Sequence, residues 1–126
     1  MSTAPIDVVR ELCAAFGEGE PDLDHVLSFF ADDATYHNIP LEPVVGTDAI
    51  RATLASFTTG VEAIEFRVLA VAAEGGTVLT ERVDVFRYPG KEISLPVMGA
   101  FEVVDGKIVA WRDYFDLDQF MSQLNA

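Results

Sequence analysis

One cysteine, few basic residues and no long apolar run: each shortage removes a class of function. With Cys13 alone, neither an intrachain disulfide nor a thiolate metal cluster can form. Cys13 falls on the apolar side of a helical repeat (Val9, Leu12, Cys13, Phe16), where a small buried hydrophobe belongs. Eight basic residues face 21 acidic ones, for a formal charge of −13. That balance opposes nucleic-acid phosphates and anionic lipid surfaces, so neither a nucleic acid nor a membrane is an expected partner. No apolar stretch approaches the ~20 residues of a membrane span. Charges at Asp7, Arg10 and Glu11 interrupt any signal-peptide core, so a soluble, cytoplasmic protein is expected. His25 and His37 have no metal-ligand spacing, and no metal site is expected.

What is present suits one compact domain over 1–126, with 50% hydrophobic residues to fill its core. Pro5 precedes the helical repeat Ile6, Val9, Leu12, Cys13, Phe16, which ends at "GEGEP". Asp22 can cap a second helix through about Phe30, and a short strand follows near Thr35 to Asn38. Asp32 and Asp33 suggest a turn or helix terminus. Thr47 or Asp48 can cap a third helix, buried through Ile50, Leu54 and Phe57. The period then falls to about two, predicting strands at 62–73, 77–87, 92–104 and 107–115. The glycines mark turns, "DGK" giving the best hairpin signal, and a last helix spans Leu117 to Leu124. Helices first and antiparallel strands after make an α+β fold: a curved, cone-shaped sheet with helices on one side.

The stretch "ERVDVF" aims Arg82 and Asp84 at one face of a strand, with Val83 and Val85 on the other. In "WRDYFD", Asp113 sits on a face otherwise made of Val109, Trp111 and Phe115. Tyr36 and Asn38 share a third strand face. Each has an innocent explanation: loop residues for Tyr36 and Asn38, a solvated face for Arg82 and Asp84, a structural ion pair for Asp113. Together they state a chemistry. One arginine between two carboxylates neutralises only one of them. Anions ~6 Å apart at an effective dielectric of ~20 repel by roughly 3 kcal/mol, about two pKa units. One aspartate then keeps its proton while the other stays ionised, a general acid and a general base in one cavity. Tyr36 and Asn38 could hold a water, which predicts a push–pull site where water attacks and a leaving oxygen is protonated.

"YHN" at 36–38, "ERVDVF" at 81–86, "LPVMGAFEV", and "DGKIVAWRD" running on into "WRDYFDL" resemble the limonene-1,2-epoxide hydrolase family over nearly the whole chain. The resemblance implies the cone-shaped fold of nuclear transport factor 2 and ketosteroid isomerase. It also implies a site in which Tyr36, Asn38 and Asp113 activate water, Arg82 bridges, and Asp84 protonates an epoxide oxygen. The implied partners are a small hydrophobic epoxide and water, with no cofactor.

Strand parity offers Leu95, Val97 and Phe101 as pocket wall beside Phe115, with Phe120 or Leu117 at the mouth; Phe57, Phe66 and Met98 are further candidates. His37 and Arg112 alternate away from the pocket. A homodimer is expected from the family likeness and from an apolar outward face at Val83, Val85 and Val103. Two other classes stay open: an isomerase or cyclase on the same cone, including a ring-opening cyclase, and a non-catalytic small-ligand binding module. An isomerase would leave Arg82 superfluous; a binding module would gain nothing from two buried carboxylates.

Overall fold

The computed structural model describes residues 3–126. Helix α1 spans Pro5–Ala14 and opens on proline, where the missing N–H sacrifices no helical bond. It buries Val8, Val9, Leu12 and Cys13. Helix α2 is short, Leu23–Leu27; the Asp22 carboxylate caps it by accepting the His25 backbone N–H at 3.2 Å. Helix α3, Thr47–Thr58, starts behind Gly46 at φ +91°, and neither Thr47 nor Asp48 caps it. Only glycine holds that entry conformation without strain. Helix α4, Leu117–Leu124, is capped by Asp116, which accepts the Gln119 N–H at 3.0 Å.

Six strands form one sheet: β1 Phe30–Asn38, β2 Val44–Val45, β3 Ala63–Glu74, β4 Thr77–Tyr88, β5 Lys91–Val104 and β6 Lys107–Tyr114. Their order is β2-β1-β6-β5-β4-β3. Only β1 and β6 run parallel; every other neighbouring pair is antiparallel. Strand β1 is longer than the pattern suggested, so Asp32 and Asp33 are exposed strand residues rather than a turn. The two-residue β2 had no signal of its own.

Register shifts at Val68/Ala70 and Glu102/Val103 bend the sheet into an open cone. The second shift alters strand parity. Ile108 enters the core beside Trp111, while Val109 is left half-buried. The helices cover the concave side, where Val9, Leu12, Ile50 and Leu54 meet Val78, Ile93, Phe101 and Trp111.

The convex side is apolar, though not as expected. Val103 is 5% exposed because it shares the inward parity of Phe101, and Val85 is 2% exposed between Glu65 and Ser94 on the flanking strands. Open apolar positions there include Leu79, Met98 and Tyr114, each about half exposed, with Met98 paired to both Glu81 and Tyr114.

Candidate active site

Inward parity on β4 brings Thr80, Arg82, Asp84 and Phe86 to the concave face, and β6 contributes Trp111 and Asp113. Strand β5 lies between them. The position on β5 that pairs with both Thr80 and Asp113 is Gly99. A Cβ there would overlap Arg82 Nη1 and sit 2.7 Å from Thr80 Oγ1 and 3.0 Å from Asp113 Oδ1. Gly99 is therefore no turn glycine. Its missing side chain is the gap through which Arg82 crosses β5.

Arg82 spends all five N–H donors there. Nε and Nη2 donate to Asp84 Oδ1 and Oδ2, each at 2.9 Å. Nη1 and Nη2 donate to Asp113 Oδ1 at 3.2 Å and Oδ2 at 2.9 Å, and Nη1 also reaches Thr80 Oγ1 at 3.1 Å. The Trp111 indole N–H donates to Asp113 Oδ1 at 2.7 Å. Arg82 is 1% exposed, Asp84 4% and Asp113 5%.

Burial pushes the Asp84 carboxyl up to about 6, and the Asp113 charge adds to that against the pull of Arg82. Burial opposes the Arg82 charge too, but the two carboxylates outweigh it and hold Arg82 well above the usual guanidinium range. The Tyr36 hydroxyl is also pushed up, first by burial and then by Asp113, while the Asn38 side chain hydrogen-bonds it. Cys13, buried behind the cluster, is raised to about 11 by burial.

These groups open into a cavity of about 360 Å³. Tyr36, Asn38, Asp84 and Asp113 reach it, and Leu95, Val97, Phe57, Phe66, Phe115, Leu117 and Phe120 line it. Phe101 does not; it is fully buried and stacked on Trp111 at 5.4 Å. Met98 points to the convex side. Strand parity could have found Phe86 and Tyr88, which follow Arg82 and Asp84 at steps of two, and both line the cavity. Leu41, Thr53, Ser56 and Leu124 come from a loop and two helices and carried no periodic signal.

The residues set aside lie elsewhere. His37 Nε2 is bonded to the Leu41 carbonyl at 2.9 Å, His25 packs on Phe29, and Arg112 pairs with Glu102 at 2.7 Å. Among the described residues, no group of three or more His, Cys, Asp or Glu side chains is placed to hold a metal ion.

Three comparisons match this geometry to known proteins. Over 104 residues the chain is 36% identical to epoxide hydrolase EphG of Mycobacterium tuberculosis, covering 82% of this chain and 69% of that one. A solved LEH-like epoxide hydrolase from M. tuberculosis superposes with TM-score 0.80 at 30% identity, over 97% of this chain and 92% of the other. A SnoaL-like polyketide cyclase fold from Shewanella putrefaciens matches at TM-score 0.84 over 99% and 98% of the two chains, with 16% identity, a likeness of fold alone. An α+β cone with a buried polar cluster at its floor is thus the scaffold of an enzyme of the epoxide-hydrolase class. The chain belongs to the limonene-1,2-epoxide hydrolase family, whose catalytic domain matches residues 3–126.

Proposed function

We propose that the protein adds water to a small hydrophobic epoxide in one step, giving a vicinal diol without a cofactor. The observation that carries this reading is a guanidinium sealed from solvent and shared by two carboxylates at the floor of an apolar cavity. Tyr36 and Asn38 hold the water, and Asp113 takes its proton as the oxygen attacks an epoxide carbon. Asp84, whose carboxyl keeps its proton to about pH 6, delivers it to the opening oxygen. Arg82 keeps the two acids in register and carries the charge between them. Afterwards Asp113 holds a proton and Asp84 does not; exchange through Arg82's solvent-free cluster or a second water resets the pair. The aromatic walls select an apolar substrate and exclude bulk water.

The test is a panel of terpene and cycloalkene oxides assayed for diol in heavy-oxygen water. A single turnover must place solvent oxygen in the diol; label arriving from an aspartate would overturn the one-step route. Two further parts of the reading rest on composition and surface. The protein works as a homodimer joined through Leu79, Met98 and Tyr114 on the convex face. A single buried thiol suits the reducing cytoplasm.

A further inference from the structure

Arg82 does not favour Asp113 as the carboxylate. It gives two hydrogen bonds to each acid, both at 2.9 Å to Asp84 and at 3.2 and 2.9 Å to Asp113. Nor does burial separate them, at 4% and 5% exposure. The asymmetry enters through one bond. The Trp111 indole N–H donates to Asp113 Oδ1 at 2.7 Å, shorter than any bond from Arg82, and among the described residues the Asp84 carboxyl accepts from Arg82 alone.

The direction of that bond is fixed by packing. Trp111 and Asp113 stand two apart on one face of β6, so the donor and its acceptor leave the same strand. The ring is 1% exposed and stacks on Tyr36 at 4.6 Å and on Phe101 at 5.4 Å, with Phe30 at 5.9 Å. An indole held this way cannot turn its N–H elsewhere. An N–H aimed at a carboxyl oxygen favours the ionised carboxylate.

We infer that Trp111 is the positioning residue that decides which aspartate is the acid and which the base: its indole N–H holds Asp113 as the carboxylate and leaves the shared proton on Asp84. The inference rests on the proposed acid and base roles but reaches further, to what assigns them. When the pair holds one proton, two arrangements compete, and only Asp84 protonated with Asp113 ionised can both activate water and protonate the epoxide oxygen. Removing the indole donor moves protein molecules into the reversed, unproductive arrangement. Other charged or titratable groups near Asp113 (Arg82, Asp84, Tyr36 and Cys13) remain as they were.

Two variants separate this role from packing. Trp111→Phe removes both the donor and part of the stack. Replacing Trp111 with 3-benzothienylalanine puts sulfur in place of the indole N–H and keeps the ring's shape against Tyr36 and Phe101. Side-chain ¹³C NMR of labelled aspartates, assigned with Asp84→Asn and Asp113→Asn, reports which carboxyl carries the proton near pH 5. The expected result is a proton on Asp84 in the native protein and one shared with or moved to Asp113 in both variants. Turnover of an epoxide should fall about tenfold to a hundredfold with KM little changed, the share of one charge-assisted bond. The inference is overturned if the benzothienyl protein keeps native turnover and an Asp84-bound proton, even where Trp111→Phe is impaired. A native protein that binds its proton on Asp84 yet turns over no epoxide would sink the proposed function and leave this assignment standing.

Discussion

The Arg82 guanidinium lies over the Phe66 ring, its Cζ 5.1 Å from the ring centroid. Phe66 is held in turn by Phe16, centroids 4.6 Å apart, and touches Phe86 edge-on. A desolvated cation on an aromatic face gains about 1–2 kcal/mol. Phe66→Leu keeps apolar bulk and loses that attraction. Its melting temperature should fall by roughly 4–8 °C, and turnover should fall several-fold as Arg82 loosens. An unchanged melting curve would show that Phe66 only fills space.

Arg82 uses a planar fork of donors, and no other side chain has five. Arg82→Lys keeps the charge but cannot bond two carboxylates at both oxygens and Thr80 as well. Kinetics on a purified, folded variant should show a loss of at least a hundredfold in kcat. Asp84→Asn and Asp113→Asn should each lose about 10²–10⁴-fold, the usual range for one general acid or base. Activity surviving in both aspartate variants would refute the assignment.

Asp84 titrates at about 6 in the folded protein against an ordinary 3.8. The folded state therefore binds this proton more tightly than the unfolded chain does. The stability it contributes is complete below pH 3.8 and is lost as pH rises through about 6. Two units at ~1.4 kcal/mol each make the ionised group a liability of roughly 3 kcal/mol at neutral pH. Asp84→Asn should thus melt several degrees higher than the native protein at pH 7, with the gain gone by about pH 4. With Asp84 as the proposed acid, native turnover has the matching sign: above about pH 6 its carboxyl is progressively deprotonated, and kcat should decline toward tenfold per pH unit. A rate flat to pH 9, together with no stabilisation by Asn, would contradict the burial effect.

At Gly99 the prediction concerns space rather than backbone freedom, since its φ lies outside the left-handed region. Gly99→Ala places a methyl against Arg82 Nη1, Thr80 Oγ1 and Asp113 Oδ1. Buried polar atoms cannot shift without breaking bonds they cannot replace. Turnover should drop about a hundredfold while circular dichroism stays native and the melting temperature falls by several degrees. Native kinetics in this variant would mean that Arg82 has room the geometry denies.

Most of the cone and its charged residues were legible in the chain because both follow from period two. Arg82, Asp84 and Asp113 could be assigned to one face from parity alone, and the cavity walls Leu95 and Val97 likewise. Parity fails where a strand bulges: Val109 was expected inward, and the register shift put Ile108 there. It also fails where a residue's value lies in what it lacks. Gly99 looked like punctuation, yet it sits mid-strand beneath the guanidinium. The Trp111 bond to Asp113 had no sequence signal beyond an aromatic two residues before an acid, which elsewhere would mean packing only.

The convex face yields the last prediction. Leu79, Met98 and Tyr114 are each about half exposed on adjoining strands, and Val104 is open at 55%. Joining two copies there would remove apolar surface from water at about 25 cal/mol per Å². Each copy carries a formal charge of −13, so the two repel while the apolar faces attract. Salt at 0.15 M screens beyond ~8 Å and weakens only the repulsion. Sedimentation velocity should therefore show a dimer that tightens as sodium chloride rises from low ionic strength, opposite to an interface held by ion pairs. Met98→Asp adds a buried charge beside Glu81, its partner in register, and should give a folded monomer. A monomer at every salt concentration, or a dimer indifferent to Met98→Asp, would remove this face as the contact.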